Sequence, residues 1–184
     1  MIALITSILA ITLRAGTSLI YATIGEIYTE RSGILNLGLE GMMLMGAVTA
    51  FATVYYTGSL ILALLVAMLT GVILSSIHAF LSITMKANQV VSGLSITLFG
   101  TGLASFLGQR LGPESNGHYL IGLTGNKFTP FAIPGLSKIP VIGAIFSQDL
   151  LTYIVYLIIP VAWFIMYKTK SGLNLRAVGE SPQT

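Results

Sequence analysis

Residues 58–83 read GSLILALLVAMLTGVILSSIHAFLSI, a run without a single Asp, Glu, Lys or Arg. The hydrocarbon core of a bilayer is about 30 Å thick and is crossed by about 20 apolar residues in a helix. This run is long enough to cross, and it is one of five, at about 2–25, 34–57, 58–83, 89–111 and 149–167. Of the 184 residues, 54% are hydrophobic and 8% are charged, where a soluble domain carries about a quarter charged. Mean hydropathy is +0.88. These values exclude a soluble enzyme and a disordered chain, and the absence of cysteine excludes a disulfide scaffold. The expected fold is an all-α integral membrane protein, a polytopic helical bundle with about five membrane segments, one of them broken or re-entrant. A net charge of +3, spread singly between apolar runs, belongs to membrane-flanking loops and not to a nucleic-acid surface.

The first run lacks a basic start and a small-residue cleavage site, so it is not a removable signal peptide. Arg14 interrupts it, which leaves two readings: one tilted helix, or a surface helix followed by a second segment. Alternation of the runs puts Arg31, Lys86, Lys168, Lys170 and Arg176 on one side, which the positive-inside rule makes cytoplasmic. The turn at Tyr55-Tyr56-Thr57-Gly58 and the Gly- and Pro-rich stretch 112–148 then face outside, the latter as an external loop with short turns. The N-terminus is expected outside and the C-terminus inside.

Small residues mark how the runs pack. Ala63, Ala67, Gly71, Ser75 and Ala79 recur at i+4, and Gly93, Thr97, Thr101 and Ser105, with Gly100, Ala104 and Gly108 beside them, repeat the device. Lipid gives no hydrophobic drive for helix association, so close backbone approach at such positions supplies it.

Enzyme chemistry is sparse. There is one Asp, Asp149, and two His, His78 and His118, with no HExxH, no Cys/His ligand set and no GxSxG. Gly93-Leu94-Ser95 lacks a His partner for a protease, and GLTGNKF (122–128) departs from a phosphate loop because Asn126 separates Gly125 from Lys127. No metal site is expected. His78, near the cytoplasmic end of the third run, reads as a hydrogen-bonded packing residue.

Polar residues concentrate in two places. In 25–46, glycines at 33, 38, 41 and 46 permit a broken backbone where an apolar helix begins. Asn36 can cap that helix and Glu40 falls in its first turn, where the helix dipole favours a carboxylate. Broken helices inside a membrane line cavities or are buried in protein, and an ionisable residue there is a functional candidate. The competing reading is that Asn36 and Glu40 only stabilise the helix start. The second place is 168–184, a short amphipathic segment bounded by Gly172 and Gly179.

Three stretches carry a resemblance. GEIYTERSGILNLGLEGMMLMGA (25–47), NQVVSGLSITLFGTGLASFLG (88–108) and TKSGLNLRAVGESPQT (169–184) occur in the order found in permease subunits of bacterial ABC importers of the branched-chain amino acid/ribose superfamily. The chain is most similar to the branch serving simple sugars and nucleosides. The resemblance implies a translocation path built with a second permease subunit, ATPase subunits that hold ATP and Mg, and an extracytoplasmic substrate-binding lipoprotein. It assigns Gly172, Leu173, Arg176, Gly179, Glu180 and Pro182 to the cytoplasmic coupling loop that docks on the ATPase. Asn36, Gly38, Glu40 and Gly41 match the glycine-rich helix start near the pathway. No cofactor is expected on this chain, which would lie in the plasma membrane. Family members continue with further helices after the coupling loop, so this chain is expected to be an N-terminal portion. A secondary transporter would need coupling-ion ligands inside the bundle, for which Glu40 is the one good candidate. A structural membrane protein is the remaining alternative.

Overall fold

The computed structural model describes residues 1–111, 126–139 and 141–181. It divides into two compact units, Met1–Gly33 with Phe128–Thr184, and Ile34–Lys127. Among the described residues, five helices are long and apolar enough to cross a membrane. The protein is thus multi-pass and all-α in its membrane segments.

In the first unit, α1 (Ile2–Arg31) is one uninterrupted helix, which settles the two readings of the first run. Glu26 and Glu30 end the apolar run, but not the helix. It lies beside α5 (Leu150–Lys168), and the two run in the same direction, joined by polar side chains. Thr17 Oγ1 and Thr152 Oγ1 are 3.0 Å apart, Tyr21 donates to the Leu151 carbonyl at 2.9 Å, and Tyr28 donates to the Ala162 carbonyl at 2.8 Å. Arg14 has a partner far along the chain: Asp149, 3.6 Å away. Asp149 is the N-cap of α5, accepting from the Thr152 amide and hydroxyl at 2.9 Å each. Arg14 is about half exposed, so the pair itself adds at most about 1 kcal/mol. The cap satisfies an otherwise orphaned amide.

Between these helices the chain forms a two-stranded antiparallel ribbon, β1 (Phe131–Ala132) and β2 (Ser147–Gln148), in the register Phe131 to Gln148. Single 3-10 turns at Leu136–Lys138 and Ile142–Ala144 lie between the strands. The ribbon is tied to α1 by Gln148, fully buried, whose Nε2 donates to the carbonyls of Ala10 and Ala144. Of the stretch 112–148, residues 112–125 (His118 and the start of GLTGNKF among them) and Pro140 lie outside the described residues.

After α5 the chain turns at Thr169 into α6 (Lys170–Glu180). The segment expected as a loop is therefore a helix. Thr169 caps it, accepting from the Gly172 amide at 3.2 Å.

The second unit is a three-helix layer: α2 (Leu39–Thr57), α3 (Leu60–Ala79, continued by a π turn at Phe80–Thr84) and α4 (Gln89–Arg110). Gly58, at φ +70°, reverses the chain between α2 and α3, a conformation that glycine adopts without steric cost. Asn88 starts α4 by accepting from the amides of Val90 and Val91. The core is Met42, Met45, Leu74, Ile96 and Ala104, with Val48, Leu103 and Leu107 packed on it.

The stripe expected on α3 packs only in part. Ala63 is buried and Ala67 lies near Gly46, but Ser75 is exposed and a Cβ at Gly71 would meet nothing within 4 Å. Ala79 is half-buried. A strict i+4 series drifts by about 40° per step around a helix of 3.6 residues per turn, so it leaves the interface. The packed face instead steps by seven residues from Ala63 to Thr70, which offsets the drift, before Leu74 and His78, with Thr70 bonded to Thr49 at 3.1 Å. On α4 the expected series Gly93, Thr97, Thr101 and Ser105 likewise leaves the interface: Gly93 is buried, Thr97 half-buried, and Thr101 and Ser105 exposed. Gly100, Ala104 and Gly108 beside it are all buried. There α2 and α4 cross backbone to backbone. A Cβ at Gly41 would lie 2.6 Å from the Ile96 carbonyl oxygen, and one at Gly100 would lie 2.6 Å from that of Gly41.

Candidate functional site

The approach to α2 is non-helical because its hydrogen bonds go to side chains. The Leu35 amide donates to Gln89 Oε1 at 2.8 Å, and the Leu37 carbonyl accepts from Thr97 Oγ1 at 2.7 Å. His78, buried, bridges the rest: its Nε2 lies 3.2 Å from the Leu35 carbonyl and its Nδ1 3.1 Å from Ser92 Oγ. A carbonyl can only accept, so Nε2 carries the proton and Ser92 donates to Nδ1. His78 is thus a packing residue with both nitrogens engaged. It anchors the segment that leads to Glu40.

This segment runs along α4. Leu37 bonds to Thr97, and Gly41 abuts Thr97 and Gly100. At 1.5 Å per residue, Thr97 and Gly100 lie about 12 and 16 Å along α4 from Gln89. α2 therefore begins alongside Gly93–Gly100, about one to three turns after α4 itself starts. The glycine-marked stretch that precedes α2, residues 34–38, is non-helical.

The four residues expected there do different things. Asn36 is not the cap of α2; Gly38 occupies that position without a side chain to offer. Asn36, buried, accepts from the Gly38 amide at 3.0 Å through Oδ1, closing the turn one step earlier. Gly38 and Gly41 are buried against α4, where a Cβ at Gly38 would lie 3.1 Å from Ile96. Glu40 alone is exposed, and it has no hydrogen bond or ion pair among the described residues.

In the first unit, the expected coupling residues fall on two faces of α6. Gly172 and Gly179 lie within the helix and do not bound it. A Cβ at Gly172 would overlap the carbonyl oxygens of Ile165 and Met166, and one at Gly179 would overlap that of Arg31. Both glycines therefore press α6 against the ends of α5 and α1. Arg176 also turns inward, its guanidinium 5.2 Å from the Tyr167 ring centroid, a cation–π contact. Leu173 and Glu180 are exposed. So are Asn174, Ala177 and Val178, which the sequence did not single out. Pro182 lies outside the described residues. An apolar groove of about 280 Å³ between α1 and α5, lined by Ile27, Tyr28, Ala162, Trp163 and Met166 among others, presents no charged group.

The family model described as branched-chain amino acid transport system / permease component matches residues 7–184. The chain is 42% identical over 175 residues to a Haloferax volcanii protein provisionally named glucose ABC transporter permease protein TsgC13, covering 94% of this chain and 51% of that one. It is 37% identical over 180 residues to the guanosine ABC transporter permease protein NupQ of Bacillus subtilis, covering 93% and 55%. It is 36% identical over 177 residues to the nucleoside ABC transporter permease protein NupC of Lactococcus lactis subsp. cremoris, covering 91% and 54%. The chain spans about half the length of these curated relatives. No solved structure matches it.

Proposed function

Because the chain belongs to the branched-chain amino acid transport system / permease component family, we propose that it forms part of the membrane path of an ATP-driven importer in the plasma membrane. Its cargo is a small polar solute, a nucleoside or a simple sugar, as the names of its relatives suggest. ATP and Mg reside on separate ATPase subunits. A second permease subunit completes the path, and an external binding protein delivers the solute.

The observation that carries this reading is α6. Two glycines and Arg176 fix it against α5 and α1, while Leu173, Asn174, Ala177 and Val178 stay bare. A short helix seated on one face, with Leu173, Ala177 and Val178 bare on the other, can pass motion from a docked partner to the membrane helices. Within the path, Glu40 is the group that meets the solute; Asn36, Gly38, Gly41 and His78 fix the segment that carries it.

The test is uptake into vesicles by the permease assembled with its ATPase and binding protein. Loss of hydrogen bonds to a charged group costs more than about 1.5 kcal/mol, so Glu40→Gln should slow ATP-driven uptake about tenfold or more with normal membrane abundance. A Glu40 that served only the helix start would cost about 0.3–1 kcal/mol of stability and leave uptake near normal; wild-type uptake in the Gln variant removes it from the path.

A further inference from the structure

The path reading, on which this inference rests, leaves open what else lies beside Glu40. Successive helical residues are about 100° apart. On α2, Gly41 faces α4 while Met42 and Met45 enter the core shared with α3; Glu40, one step the other way, turns from α3. On α4, Gly100 faces Gly41 and Ile96 enters the core; Thr97 and Thr101 turn from α3 likewise. All three polar residues therefore stand on the same flank of the α2–α4 pair.

Their hydrogen bonding has one sense. Thr97 gives its proton to the Leu37 carbonyl at 2.7 Å, and Thr101 gives its own to the Thr97 carbonyl at 2.7 Å. What each hydroxyl still offers is its lone pairs, and a carboxylate only accepts. Thr97 and Thr101 lie about 12 and 18 Å along α4 from Gln89, about one turn apart. Exposed Leu94 and Leu98 on the same helix give it apolar surroundings, as ligand sites usually have.

We infer that Glu40, Thr97 and Thr101 form an acceptor-only strip that selects a neutral, hydroxyl-rich solute in transit and rejects anions such as its phosphorylated form. Hydroxyl groups donate to each acceptor in turn; a phosphate would meet only lone pairs and one negative charge.

The variant to make is Thr101→Val, since Thr101 bonds only within its own helix, whereas Thr97 also holds Leu37. In vesicles carrying the assembled transporter, uptake of labelled guanosine or glucose at saturating concentration should fall about three- to tenfold, the equivalent of one hydrogen bond. ATPase retention should be unchanged, and Thr101→Ser, which keeps the acceptor, should restore uptake. Unchanged uptake in Thr101→Val, or a Thr101→Ser variant as slow as the Val variant, would overturn the strip and leave the importer reading standing. Absence of ATP-driven uptake of both solutes by the wild-type transporter would overturn both.

Discussion

Leu173→Asp combined with Val178→Asp should abolish uptake and strip the ATPase from the purified permease, while the membrane helices fold as before. Both side chains are more than half exposed on α6, so neither change disturbs packing within the chain. In a docked complex the same two positions would be buried anchors, and truncating such an anchor costs about 2 kcal/mol or more, before the added cost of an unpaired charge. Gly179 is a poorer probe of docking. Any side chain there collides with the Arg31 carbonyl and lifts α6 from its seat, so loss of coupling in a Gly179→Trp variant follows from displacement of the helix alone. Co-purification of the ATPase with the double Asp variant at the wild-type ratio would show that the bare face of α6 is not where the partner sits.

The second large effect is expected at the crossing of α2 and α4. Gly100→Val should destabilise the protein by about 3 kcal/mol or more, because the atoms it meets are backbone and cannot rotate aside. The nearest are the Gly41 carbonyl oxygen at 2.6 Å, its carbonyl carbon at 2.7 Å and its Cα at 2.8 Å from a Cβ at Gly100. Gly102, two residues on, has nothing within 4 Å. Gly102→Val should therefore stay within about 0.5 kcal/mol of wild type, valine being a slightly better helix former than glycine. Thermal unfolding of the two variants in one detergent compares them directly; equal midpoints would mean that the helices do not cross at these glycines.

The number of membrane helices was legible because composition and run length decide it, as 58–83 shows without a charged residue. Their ends were less so. α1 continues through Glu26 and Glu30 to Arg31, since acidic residues end an apolar run without ending a helix. Arg14 was ambiguous because its partner, Asp149, lies far along the chain and its nearness is a tertiary fact. The i+4 stripe on α3 was a pattern of spacing only; the drift around the helix sends Gly71 and Ser75 out of the interface. At the site, Glu40 was legible as an ionisable group at a glycine-marked helix start. The seating of the segment before it depends on Gln89, His78 and Thr97, whose pairing with residues 35 and 37 no local signal announces. On α6, glycine and arginine stood out by type, yet they face inward. Val178 and Ala177 face outward and carry no signal until the packed face is known.

The most direct test of α6 as the bridge to an ATPase uses the absence of cysteine in these 184 residues. A single cysteine at Val178, in the permease assembled with its ATPase, is treated with a short bifunctional cross-linker and compared with one at Leu157, exposed on the face of α5. A cross-linked permease–ATPase band from Val178 and none from Leu157 is the predicted result. No band from Val178, in a complex that retains its ATPase and imports solute, would contradict it.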